Sequence, residues 1–219
     1  AQMASAGALV AMVLDGPMLA GGVLAALLAA LVKGLLARAG ASAYALMMLL
    51  AWGGGVLLLA NHPLAEQAGH ALFDGQLYFT GEAHLLVTAL AAVVVLPALA
   101  WLSRPLLLAR FFPEFYRARG QNERPRLLLF DLLAGLVVAL ATVSLGVMAA
   151  FALVFVPPLF GWRFGRGWRS ALVLAALAGM GGYSVAFALS LGLDQPFGPV
   201  CASLLVMLIV VTGVKLDRM

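Results

Sequence analysis

Apolar runs of about twenty residues follow one another along almost the whole chain. Wound as an α-helix, a run of that length spans the roughly 30 Å hydrocarbon core of a bilayer. In lipid every backbone N–H and C=O must find its partner within the spanning structure, so only helices or a closed barrel can cross. A barrel strand alternates apolar and polar residues, and no such alternation is visible here. A soluble domain carries roughly 25% charged residues; this chain of 219 has 10%, with 64% hydrophobic residues and a mean hydropathy of +1.08. The expected fold is therefore all-α: a polytopic transmembrane helical bundle forming one domain over residues 1–219.

The expected spans are 1–14, 17–36, 42–60, 84–103, 127–145, 147–161, 170–191 and 197–214, about eight in all, with only a tight turn near Leu145–Gly146 between the fifth and sixth. The chain opens at Ala1 inside an apolar stretch, without Met or a basic leader, so a truncated N-terminus and a preceding helix are expected. When the sides of the membrane are numbered alternately, all thirteen Lys and Arg residues fall on one side: Lys33, Arg38, Arg104, Arg110, Arg117, Arg119, Arg124, Arg126, Arg163, Arg166, Arg169, Lys215 and Arg218. Asp15, Glu66, Asp74, Glu82, Asp194 and the three histidines fall on the other. The positive-inside rule makes the cationic side and the C-terminus cytoplasmic, in the simplest case at a bacterial plasma (inner) membrane. Because the cations belong to interhelical loops and not to a soluble face, the net charge of +4 does not point to nucleic acid. The single cysteine, Cys201, forms no internal disulfide and says nothing about compartment.

The densest charge lies in one cytoplasmic segment, about 104–126, where ARFFPEFYRARGQNERPR occupies Ala109–Arg126. Arg104-Pro105 is expected to close the preceding span. Pro113 suits the first position of a helix, Glu114 its positive end and Gly120 a left-handed C-cap, so 113–119 is expected to form a short helix on the membrane surface. Phe111, Phe112, Phe115 and Tyr116 would dip into lipid or fill a socket on a partner; contact with anionic lipid is one reading of this segment.

The segment resembles the coupling helix of the membrane-spanning permeases of ABC importers for zinc and manganese. Glu114 and Gly120 match that family's pattern, and Tyr116 stands where alanine is usual. GVMAAFALVFVP, Gly146 to Pro157, resembles the family's G-V-L-L-V-G-A-L-L-V-I-P at Gly146, Ala152, Leu153 and Pro157, with Phe151 where glycine is common. A basic loop, GWRFGRGWRS, follows, as in the family. LDQPFGP resembles L-D-x-P-x-G-P at Asp194, Pro196, Gly198 and Pro199. The outer segment, about 61–84, resembles the family's short re-entrant piece.

The resemblance implies that Glu114, Phe115, Tyr116, Arg117 and Gly120 couple the chain to a separate ABC ATPase subunit. It further implies a permease homodimer, a metal-binding delivery protein and a transported divalent ion, zinc, manganese or iron. No cofactor is expected on this chain. No G-x-x-x-x-G-K-[ST] phosphate loop occurs in the sequence, so ATP is expected on the partner and no enzymatic activity on this subunit.

Metal contacts are less sharply marked. The family's S-H-A-A-L-P-G aligns with AQMASAG, which puts Gln2 at the histidine position. Glutamine is a poorer zinc ligand than imidazole, and this departure leaves the choice of metal open. In the outer loop, His62, Glu66 and His70 are spaced by four, on one face if helical, and His84 follows; these are candidate metal ligands, with simple solvation of the loop as the alternative. Asp131 stands about one turn inside the cytoplasmic end of its span. A structural pair with an arginine, Arg124 or Arg126, is expected there in preference to a role in metal exit. Asp194 is expected to form a turn. The competing functions are a stand-alone channel or secondary carrier, which would place ionisable residues near mid-membrane, a larger permease for chelated iron or cobalamin, a divergent ABC permease with another substrate, and an intramembrane enzyme, which would need clustered catalytic groups.

Overall fold

A computed structural model describes residues 1–35, 41–62, 69, 72, 81–112, 114 and 124–212. Among them the chain forms eight principal helices and no strand: α1 (Gln2–Val13), α2 (Met18–Leu35), α3 (Ala41–Asn61), α4 (Glu82–Phe111), α5 (Arg124–Leu145), α6 (Val147–Phe164), α7 (Trp168–Leu193) and α8 (Phe197–Val211). Length and composition make α4, α5, α6 and α7 long and apolar enough to cross a membrane, while α1, α2, α3 and α8 are shorter apolar helices over their described parts. The helices are apolar on all sides and not only along a core-facing stripe, as lipid requires. Leu85 and Trp101 are 75% and 70% exposed on α4, and Met180 is 70% exposed on α7.

One helix end differs from the expectation. Arg104-Pro105 does not close α4, which continues through Pro97 and Pro105 to Phe111. Proline removes one backbone donor and crowds the preceding turn, yet the helical hydrogen bonding resumes beyond it, and the Phe112 N–H donates to the Leu108 carbonyl at 2.8 Å. The Ser103 hydroxyl donates to the Ala100 carbonyl at 2.7 Å, just before the second proline. The same holds in α6, which runs through Pro157 and Pro158 to Phe164.

The helices group into two compact units. One holds α1 to α4 and α5 as far as Leu140; the other holds the rest of α5 with α6, α7 and α8. In the first unit α1 and α2 cross through small residues. A Cβ placed on Gly7 would overlap the Ala25 side chain and lie 2.5 Å from the Gly21 carbonyl oxygen, and one on Gly21 would overlap Ala11 and the Gly7 carbonyl. Glycine here permits a backbone-to-backbone approach, which is how helices gain contact area in a solvent as apolar as their side chains. Ala4, Ala26 and Ala139 then meet with Val23 at their edge, tying α1, α2 and α5 together.

The second unit has a larger core. Ala149, Ala152 and Val156 of α6, Ala186 of α7, and Phe197, Cys201, Leu205 and Ile209 of α8 are buried together. The α8 set recurs every four residues, so a single face of that helix is used. Gly182 receives the end of Leu205, and Gly179 lies under Pro157, whose Cγ would be 3.4 Å from a Cβ there. Tyr183 meets Phe197 edge-on at 5.2 Å between ring centroids.

Candidate functional site

The blocks that carry the family resemblance have definite geometry. Gly146 is the whole connection between α5 and α6. Its φ of 88° and ψ of 161° lie in a region that only glycine enters readily. Its N–H donates to the Thr142 carbonyl and its own carbonyl accepts from Ala150 N–H, both at 3.0 Å, so hydrogen bonding continues across the turn. Pro157, eleven residues on, is buried against α7.

In LDQPFGP, Asp194 adopts the left-handed conformation (φ 52°, ψ 45°) and closes α7, its N–H donating to the Ser190 carbonyl. Asp is among the few non-glycine residues that enter this region at modest cost. Pro196 precedes α8 as its N-cap with φ −64°, where the absent N–H is no loss. Gly198 is buried in the first turn of α8, beside Phe197 at 3% exposure. Pro199 completes that turn. The motif is thus a compact reversal between two membrane helices, and the Asp194 side chain is exposed.

Asp131, for which an arginine partner was expected, pairs with Lys33 of α2: Lys33 Nζ lies 2.5 Å from Asp131 Oδ1. The physical reason is register. α2 and α5 run antiparallel, with Ala26 beside Ala139 and Gly135 against Ala26 and Ala30, which brings residue 33 opposite residue 131. The signal was present in the sequence, because Lys33 stands inside an apolar run at the same depth as Asp131.

Gln2 begins α1. Its side-chain oxygen is buried without a hydrogen-bond partner, and its backbone carbonyl accepts from the Ser5 hydroxyl at 2.9 Å. His62 follows the end of α3 and is exposed, its N–H bonded to the Leu58 carbonyl at 3.1 Å. His84 lies in the first turn of α4, its N–H bonded to the Gly81 carbonyl at 3.0 Å. Glu66 and His70 lie outside the described residues, as do Phe115, Tyr116, Arg117 and Gly120 of the coupling segment and most of the outer segment 61–84. Glu114 is helical and exposed. Among the described residues no group of three or more His, Cys, Asp or Glu side chains is placed to hold a metal ion.

The architecture resembles a solved structure. One chain of PsaBC from Streptococcus pneumoniae, determined in complex with a Fab, superposes with a TM-score of 0.80 over 96% of this chain and 77% of that one, at 15% sequence identity. At that identity the likeness is one of fold. The chain has no match among curated proteins. The family model described as the ABC 3 transport family matches residues 1–215, nearly the whole sequence, and such a family implies an ATPase and a substrate-binding protein as partners. The chain therefore belongs to the ABC 3 transport family and is a multi-pass membrane subunit of an ABC transporter.

Proposed function

We propose that this chain is the permease subunit of an importer for a divalent transition metal ion, zinc, manganese or iron. The family match over residues 1–215 is the observation that carries the transporter assignment. The metal assignment is supported by the Gly146–Pro157 and Leu193–Pro199 blocks, which resemble metal-ion permeases and each form a tight helix connection here. Residues 1–219 act as one permease domain and pair with a second copy around the path of the ion. The segment 104–126 docks on the ATPase, with Glu114, Phe115, Tyr116, Arg117 and Gly120 as the coupling residues. The side rich in Lys and Arg, including the C-terminus, faces the cytoplasm of a bacterial cell.

For the path itself, the Gln2 side-chain oxygen is a carbonyl-type donor without a partner. Such a donor suits harder cations better than it suits zinc. His62, Glu66, His70 and His84 form a separate outer candidate for receiving metal from the delivery protein.

The test is reconstitution of the full-length protein with its ATPase in liposomes, following uptake of zinc, manganese and iron presented on the delivery protein. ATP-dependent uptake of one of them, abolished by Glu114→Ala with Gly120→Leu, is the expected result. ATPase binding without uptake of any of the three overturns the metal assignment and leaves a divergent permease. ATP-independent flux without ATPase association points to a stand-alone carrier.

A further inference from the structure

The hairpin between α6 and α7 concentrates arginine and tryptophan at two helix ends. Its sequence, WRFGRGWR over Trp162–Arg169, places a Trp-Arg pair at the end of one spanning helix, another at the start of the next, and Arg166 between them. All three arginines are exposed. Trp162 is 77% exposed and Trp168 49%. The Arg163 guanidinium lies 5.9 Å from the centre of the Phe164 ring, a cation–π contact.

None of the three arginines has a carboxylate partner among the described residues. Asp194 is the one carboxylate between residues 141 and 212, and it closes the far end of α7. Three like charges within seven residues repel one another, so the hairpin has a standing demand for an anion.

The hairpin is also built to hold its shape. A Cβ on Gly165 would lie 2.6 Å from the Ala171 Cα, and one on Gly161 would run into the Ala171 carbonyl oxygen, so the two helix ends meet backbone to backbone. Ser170 Oγ donates to the Gly167 carbonyl at 2.9 Å and accepts from the Gly167 N–H at 3.0 Å, fastening the start of α7. Arg163 sits in the last turn of α6, where the helix dipole favours a cation. The arginines are thus presented from two fixed helix ends at little further cost in chain order.

We infer that this hairpin is a binding site for the phosphate headgroup of anionic phospholipids. Both flanking helices are long and apolar enough to cross a membrane, so their junction lies at a membrane–water boundary. Tryptophan concentrates at that boundary because its ring is apolar and its N–H polar. Guanidinium groups bind phosphate oxygens through paired N–H donors. Trp162 and Trp168 seat the hairpin at the headgroup level, and Arg163, Arg166 and Arg169 supply guanidinium donors for the phosphodiester. The inference does not depend on which ion the transporter carries or on which side of the membrane the hairpin lies.

The test uses the purified full chain in nanodiscs of phosphatidylcholine, with phosphatidylglycerol titrated in. Phosphatidylglycerol is expected to raise the unfolding midpoint by about 2–4 °C, and brominated phosphatidylglycerol is expected to quench fluorescence that Trp162→Phe with Trp168→Phe removes. Arg166→Gln leaves both helix-end arginines in place and should fold normally. It is expected to weaken the apparent lipid affinity about fivefold, in line with one cation at a membrane surface. The triple Arg163→Gln, Arg166→Gln, Arg169→Gln variant should abolish the preference for phosphatidylglycerol.

Unchanged affinity in Arg166→Gln overturns the inference. So does an equal stabilisation by inorganic phosphate alone. A triple variant that keeps the lipid response but no longer co-purifies with the ATPase assigns the hairpin to protein docking instead.

Discussion

Lys33 of α2 and Asp131 of α5, 98 residues apart in sequence, form an ion pair with 2.5 Å between Nζ and Oδ1. Lys33 is 40% exposed and Asp131 18%, so the pair lies between a surface ion pair, worth about 0–1 kcal/mol, and a buried one, whose disruption from one side costs about 3–5 kcal/mol. Asp131→Asn or Lys33→Met alone is expected to destabilise the protein by about 1–3 kcal/mol. The double variant should be less destabilised than the sum of the two, because no unpaired charge is left in an apolar setting. Thermal unfolding of all four proteins in detergent gives the coupling directly; strictly additive effects would mean that the pair contributes nothing.

The close crossing of α1 and α2 gives a second expectation. Gly7→Val and Gly21→Val push side-chain atoms into the opposite backbone and should cost about 1–3 kcal/mol each, through overpacking. Gly53→Ala and Gly54→Ala meet nothing within 4 Å and should be neutral or slightly stabilising, since alanine is the better helix former. Expression level and unfolding midpoint compared across these four variants decide it. Equal effects at all four positions would mean that glycine matters there for some reason other than contact.

Gly146 has a backbone conformation closed to other residues. Gly146→Ala is expected to cost about 1–3 kcal/mol, read as loss of the folded monodisperse fraction on size-exclusion chromatography. A variant as stable as the parent would show that the α5–α6 turn relaxes into another shape.

At Asp194 the left-handed conformation (φ 52°) ranks the substitutions. Asp194→Gly and Asp194→Asn should be within about 0.5 kcal/mol of the parent, while Asp194→Val should cost about 1–2 kcal/mol. If transport by the reconstituted protein falls in Asp194→Asn although its stability is unchanged, the carboxylate has a role that the turn does not explain.

The candidate site was legible in uneven measure. Turn positions were readable locally: glycine at 146 and the Asp-x-Pro-x-Gly run at 194–198 announce breaks between apolar segments, and each break is found there. The partner of Asp131 was not readable by proximity in sequence. The lysine that pairs with it stands 98 residues away, on another helix. Pro105 looked like a stop because proline removes a helical hydrogen bond, but only one bond is lost and α4 runs on to Phe111.

What the sequence alone determined is the order of the eight principal helices among the described residues and their apolar surfaces. Those follow from the length of each run and from the demand that backbone polar groups be satisfied within a segment. Only the tertiary structure decided which of the many glycines carry a helix crossing. Gly7, Gly21, Gly161 and Gly165 lie against a neighbouring helix, while Gly53, Gly54, Gly181 and Gly192 face open space. Nothing in the local sequence separates the two groups. In lipid, apolar side chains gain little by burial and association depends on close packing and paired polar groups. The choice of contact face therefore belongs to how whole helices fit one another, as the antiparallel register of α2 and α5 does when it sets Lys33 against Asp131.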